Sequence, residues 1–297
     1  MKGINMKKII LTAMLISAMF SMSLGFDTEA FQQKAYSATT TTKINWNEAA
    51  SLKRVNTIGS KILKANSLPQ GITFKVSDDE SINAYANINK EVYVYRGLLE
   101  YVSNDEELAA VIAHEIGHIV NSHSAKQTIM NSVISSISTN TTNTVVSNSV
   151  EAAKQLSSMK FSRQDELEAD LTAVDLLQKA GYNPLALISV LNKICGNYVD
   201  LISTHPSGEK RLMNIYDYAD YNYPAIVKKG YNTESYLKAR DLIWANLKIR
   251  KQSPRKLAKA KKQQEKLKQQ RLKRARKMLN SNDPWNTSLN ILQQLSN

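Results

Sequence analysis

The chain has 297 residues, 42% of them hydrophobic, which suits one domain of ordinary size with appendages or two small domains and excludes a disordered protein. Its single cysteine, Cys195, excludes an intramolecular disulfide and reads as a buried, inert thiol, so stability outside the cytoplasm has to come from packing or from a metal. The formal net charge of +13 is uneven: residues 228–297 hold 19 Lys+Arg against 4 Asp+Glu, and the remainder is close to neutral.

In chain order, Lys2, Lys7 and Lys8 precede an uncharged apolar stretch that runs to Phe26. This is the layout of a secretory signal, assigned to residues 1–37, with an uncleaved N-terminal anchor as the alternative. Both place the bulk of the protein outside the cytoplasm, and an exported protein is not expected to meet nucleic acid. Apolar positions at Trp46, Ala49, Leu52, Val55, Ile58 and Ile62 predict a helix over 45–66. GITFKV, SINAYA and EVYVY (71–76, 81–86, 91–95) predict a small antiparallel sheet. Ser103 or Asn104, followed by Asp105, Glu106 and Glu107, marks a helix start. From 122 to 158 the composition turns to Ser, Thr and Asn, as expected of a flap or an irregular hairpin. Helical patterning returns over 162–180, again over 184–194, and a third time after THPSGE. The run from Lys248 to Lys277 is nearly all Lys, Arg, Gln and Ala, at best a solvated helix.

The chemistry sits in AHEIGH (113–118). On a helix, His114 and His118 lie roughly 40° apart on one face, so two imidazoles aim at one point while Glu115 leans in from the side. Two neutral imidazoles suit Zn²⁺, and the carboxylate between them is placed to take a proton from the attacking water rather than to bind metal. This is zincin geometry. Gly117 costs about 1 kcal/mol relative to alanine in a helix, which points to a close approach by another segment. A catalytic zinc needs a third protein ligand. Continued helical phase puts His123 half a turn away and predicts a surface residue. In SRQDELEAD (162–170), Glu166 and Asp170 share the stripe that continues into apolar core, whereas Glu168 points to the opposite side. Glu166 is therefore the expected ligand, with Asp170 placed to accept the second N–H of a ligating imidazole.

The combination of NAYA (83–86), ELAAVIAHEIGH, SRQDELEAD and STHPSGEKR resembles the gluzincin metalloendopeptidases that include the CAAX prenyl proteases, the HtpX-type membrane proteases and the β-barrel assembly-enhancing proteases. The resemblance implies Glu166 as third zinc ligand, in agreement with the stripe. It also implies places near the active site for His205 and Arg211, with His205 a donor to the oxyanion or a pH-dependent gate. It further implies a substrate-binding edge strand at Asn83, Ala84 and Tyr85. Two departures stand out: Ala173 occupies a position where the family commonly has glycine, and the multi-pass membrane helices of its integral members are missing.

The expected protein is thus a mostly helical α+β zincin-type domain over 44–225 with a basic helical or disordered extension over 226–297. It is expected to hold one Zn²⁺ per chain and to hydrolyse peptide bonds in unfolded or misassembled envelope proteins, with the tail offering a contact to an anionic membrane or cell-wall surface. The alternative is an envelope chaperone or adaptor that uses a latent zincin fold for binding.

Overall fold

The structure is a computed structural model that describes residues 46–68, 71–124, 161–195, 205 and 208–279. The expected signal segment (1–37), nearly all of the 122–158 segment and the Cys195 side chain lie outside the described residues.

Helix α1 (Glu48–Ala65) buries Val55, Ile58 and Ile62, one stripe of an amphipathic helix. Strands β1 (Thr73–Ser77), β2 (Ala84–Ala86) and β3 (Glu91–Tyr95) form a sheet in the order β1-β3-β2. β3 alternates fully buried Val92 and Val94 with Glu91, Tyr93 and Tyr95 on the other face. The sheet is mixed where an antiparallel one was expected: β2 pairs antiparallel with β3, but β1 pairs parallel with it. The chain reverses twice between β1 and β3, and β3 enters between the two earlier strands, so it must run with β1.

Helix α2 (Arg96–Tyr101) leads into α3 (Asp105–Val120), whose N-cap Asn104 accepts from the Glu107 N–H. Every residue of α3 from Glu107 to Val120 is buried, because α1, the sheet and two later helices, α4 (Arg163–Lys179) and α5 (Leu185–Cys195), surround it. A helix apolar on all sides is a core helix, and its polar residues are therefore costly unless used. At α4, Ser162 and Asp165 form a capping box. Gly117 shows why α3 and α4 can lie so close: a Cβ there would stand 2.8 Å from the Ala169 carbonyl oxygen. Gly117→Ala should therefore destabilise the fold by about 1–3 kcal/mol despite alanine's better helix propensity. Chemical denaturation would read this, and a more stable variant would contradict the close approach.

Helices α6 (Glu209–Asn222), α7 (Pro224–Lys229), α8 (Glu234–Lys251) and α9 (Pro254–Leu279) complete the described chain. Tyr236, Ala239 and Ile243 of α8 are buried and α8 packs on α5. The basic run is helical as expected, yet it is not wholly solvated. Arg271 inserts its guanidinium beside Asp175 of α4 (Nη2 to Oδ2 2.6 Å), and Gln264 is buried too. The Tyr218 and Tyr223 hydroxyls also donate to Asp175, at 3.0 and 2.7 Å. Burial pushes the Asp175 carboxyl up from the usual range, against the pull of Arg271 and the two tyrosines.

Candidate metal and catalytic centre

One turn apart on α3, His114 and His118 bring their Nε2 atoms to 3.1 Å. From α4, Glu166 places Oε1 3.4 Å from His118 Nε2 and Oε2 3.5 Å from His114 Nε2. His205 joins them, its Nδ1 2.9 Å from Glu166 Oε1 and 3.3 Å from His114 Nε2. Each of the four is buried and offers one ligand atom within 4.8 Å of the others. Two imidazole nitrogens that face each other at 3.1 Å repel through their lone pairs unless a proton or a cation lies between them. The donor set of imidazoles and one carboxylate suits Zn²⁺.

The electrostatics point the same way. Burial works against an imidazolium at His114, but Asp170 and Glu166 outweigh it and raise the group to about 10. Burial holds His118 well below its ordinary value, and the neighbouring His114 and His205 add to that effect. Burial would raise Glu166, yet His205, His114 and His118 overcome it and keep the carboxyl well below its usual range. The buried carboxylates of Glu166 and Asp170 thus favour positive charge beside them, as a proton or a metal would supply.

The support around it is equally specific. Arg211 of α6 donates to Asp170 from Nε (2.8 Å) and Nη2 (2.7 Å), and its Nη1 lies 2.8 Å from Glu166 Oε2. Asp170 Oδ1 is 3.0 Å from His114 Nδ1, where the sequence expected it to hold a ligating imidazole. Burial opposes the Asp170 carboxylate, but Arg211 and His114 keep its pKa lowered. Glu115 is fully buried and, among the described residues, neither of its carboxylate oxygens has a hydrogen-bond partner. Its Oε1 is 3.6 Å from His205 Nε2. His114, Glu115, His205 and Arg211 line one side of a pocket whose other walls are Val111, Leu187, Val190, Leu191 and Ile194.

The expected edge strand is present, although Asn83, Ala84 and Tyr85 are not among the converging groups. Tyr95 N–H donates to Asn83 O and Asn87 N–H to Glu91 O, so alternate residues of β2 face β3. The backbone of Ala84 and Ala86 thus faces away from β3, where Ala84 N–H donates to Asn83 Oδ1 at 2.9 Å and Ala86 O accepts from Ser124 Oγ at 3.1 Å. On the face away from the core, Tyr85 stacks on Tyr93, ring centroids 4.9 Å apart.

His123 overturns its expectation. It is 2% exposed, its Nδ1 is 2.9 Å from His118 Nδ1, and Phe161 stacks on the His118 ring at 3.9 Å. The helical phase fails because α3 ends first: Ser122 has φ 56, a left-handed turn that swings His123 back under the site. Glu168, expected on the opposite side, lies 3.2 Å from His123 Nε2. The Asn-Ser pair after Val120 is the signal that the helix stops there.

Comparison with known proteins follows the same segment. Residues 49–219 match peptidase family M48. The beta-barrel assembly-enhancing protease of Escherichia coli K12 is 26% identical over 209 residues, 63% of this chain and 42% of that protein. The mitochondrial metalloendopeptidase OMA1 of Arabidopsis thaliana is 35% identical over 159 residues, 51% of this chain and 33% of that protein. Metalloprotease LoiP of E. coli is 28% identical over 176 residues, 56% of this chain and 69% of that protein. The match therefore spans less than half the length of the first two relatives. It does contain the histidine pair of α3, the carboxylates of α4 and both His205 and Arg211, and the chain belongs to peptidase family M48.

Proposed function

We propose that this chain is a zinc-dependent metalloendopeptidase. The observation that carries the reading is the buried convergence of His114, His118 and Glu166 beside a carboxylate, Glu115, that makes no hydrogen bond among the described residues. Those three residues would hold one zinc ion, with Asp170 fixing His114. Zinc held there would supply Lewis-acid chemistry, polarising the peptide carbonyl and activating the attacking water. Glu115 takes the proton from the attacking water and returns it to the leaving amine. His205, across from Glu115, donates to the oxygen that becomes negative, and Arg211 holds Glu166 and Asp170 in place.

The pocket walls of Leu187, Val190, Leu191 and Ile194 favour an aliphatic or aromatic side chain near the scissile bond. Peptide would add in extended form to β2 through the outward backbone of Ala84 and Ala86, with Asn83 and Tyr85 beside it. Extended chain with exposed apolar side chains is a property of unfolded or misassembled proteins. The N-terminal layout and the kinship with a beta-barrel assembly-enhancing protease support an exported enzyme of the cell envelope acting in quality control. The exposed lysines of α9 suit contact with an anionic membrane or cell-wall surface.

Purified protein should contain about one zinc per chain and cleave unfolded casein, with activity lost to a chelator and restored by zinc. Glu166→Gln should lose most of that zinc. Full zinc content in this variant would show that another side chain completes the site, and inert wild type that still suppresses aggregation would favour a binding role instead.

A further inference from the structure

The polar group not yet accounted for is His123, with Asp165 and Glu168 beyond it. The chain of contacts runs outward from the metal cluster. His118 turns Nε2 toward His114 and Glu166, so its Nδ1 faces the other way, onto His123 Nδ1 at 2.9 Å. His123 Nε2 in turn is 3.2 Å from Glu168 Oε2 and 3.4 Å from Asp165 Oδ1. Both imidazoles are buried, with Phe161 packed against the His118 ring.

Proton bookkeeping fixes the direction of this chain. An imidazole that gives its Nε2 lone pair to a cation carries its hydrogen on Nδ1 and must donate from there. His123 Nδ1 has to be the acceptor, which places the His123 hydrogen on Nε2, where two carboxylates are ready to accept it. Every donor then meets an acceptor: His118 Nδ1–H to His123 Nδ1, and His123 Nε2–H to Glu168 or Asp165. We propose that His123 is a positioning residue of the metal centre, orienting His118 through an imidazole-imidazole hydrogen bond that is itself anchored by Glu168 and Asp165. His118 thus has its own support from the segment after α3, while His114 has Asp170 from α4.

The same bookkeeping decides a competing use of these residues. His123, Asp165 and Glu168 lie close enough to form a second cation site among the described residues. A metal on His123 Nε2 would put a hydrogen on its Nδ1, aimed at the Nδ1–H of His118 across 2.9 Å. Two donors would then face each other, so filling this second position opposes filling the first.

The inference rests on the zinc reading of the main cluster, and the experiment separates the two. Zinc affinity by chelator competition, metal stoichiometry and the visible spectrum of the cobalt-substituted protein are measured on wild type, H123L, H123N and E168Q, with near-UV circular dichroism to confirm folding. His123→Leu removes the acceptor, and His123→Asn keeps one close to the Nδ1 position. Loss of an outer partner of a ligating histidine weakens metal binding by about 10–100-fold. H123L should show that loss and an altered cobalt spectrum, H123N should recover most of both, and E168Q should show a smaller loss. If H123L does not fold, His123→Gln, which is polar but has no acceptor at Nδ1, takes its place. Wild-type zinc affinity in a folded H123L, or equal weakening in H123L and H123N, would overturn the proposal, as would two tightly bound zinc ions per chain. A wild type that binds no zinc would instead overturn the reading of the main cluster.

Discussion

Glu115→Gln is expected to lower peptide hydrolysis by a factor of about 10²–10⁴ while zinc content stays at the wild-type level. The amide matches the carboxylate in size but cannot accept the proton that hydrolysis releases. Glu115 makes no hydrogen bond among the described residues, so the substitution breaks none there. It also removes a buried charge that lacks a matched donor, and such a charge is costly to keep. Thermal stability of the variant should therefore equal or exceed that of wild type, the signature of a group retained for chemistry at the expense of stability. Parallel measurement of casein cleavage, zinc content and melting temperature separates the roles. Loss of zinc in this variant would make Glu115 a ligand, and unchanged cleavage would move the base to another residue.

The second large effect is expected at the pair formed by Arg271 and Asp175. Arg271→Ala leaves Asp175 buried without its cation, and breaking one side of a buried ion pair costs about 3–5 kcal/mol. The hydroxyls of Tyr218 and Tyr223 remain as donors to Asp175 and keep the loss toward the lower end. Asp175→Asn in the same chain should recover part of it, because the uncompensated charge is then gone. Urea titration of the single and double variants measures both steps. A loss below about 1 kcal/mol for Arg271→Ala would place the guanidinium in solvent, where exposed pairs contribute that little.

Those two residues also mark what could be read from the chain and what could not. His114, Glu115 and His118 are neighbours on one helix, and helical geometry alone aims them. Glu166 and Asp170 were legible for the same reason, since both positions follow from the phase of one helix with a visible cap at Ser162. The pairing of β1 was not, because strand direction depends on which strand enters between the others. His123 escaped because a single left-handed residue, Ser122, cancels the periodicity on which its placement depended. Arg271 escaped for a different reason. Patterns of burial are read from apolar residues, and here the buried group is one cation among many, matched to a carboxylate 96 positions earlier.

That separation bears on how the protein is made. The residues of the metal cluster and of its supporting network all emerge by Arg211, and α4 with Asp175 emerges among them, but Arg271 follows far later. At ordinary elongation rates of roughly 5–20 residues per second, the interval is about 5–20 s. Throughout it the nascent chain holds Asp175 with no cation, and folding of the body around α4 is correspondingly disfavoured. The final docking of α9 supplies that cation. A chain that stops short of residue 271 has every group of the His114, His118 and Glu166 site but lacks the cation beside Asp175, and is expected to be less stable by the same roughly 3–5 kcal/mol.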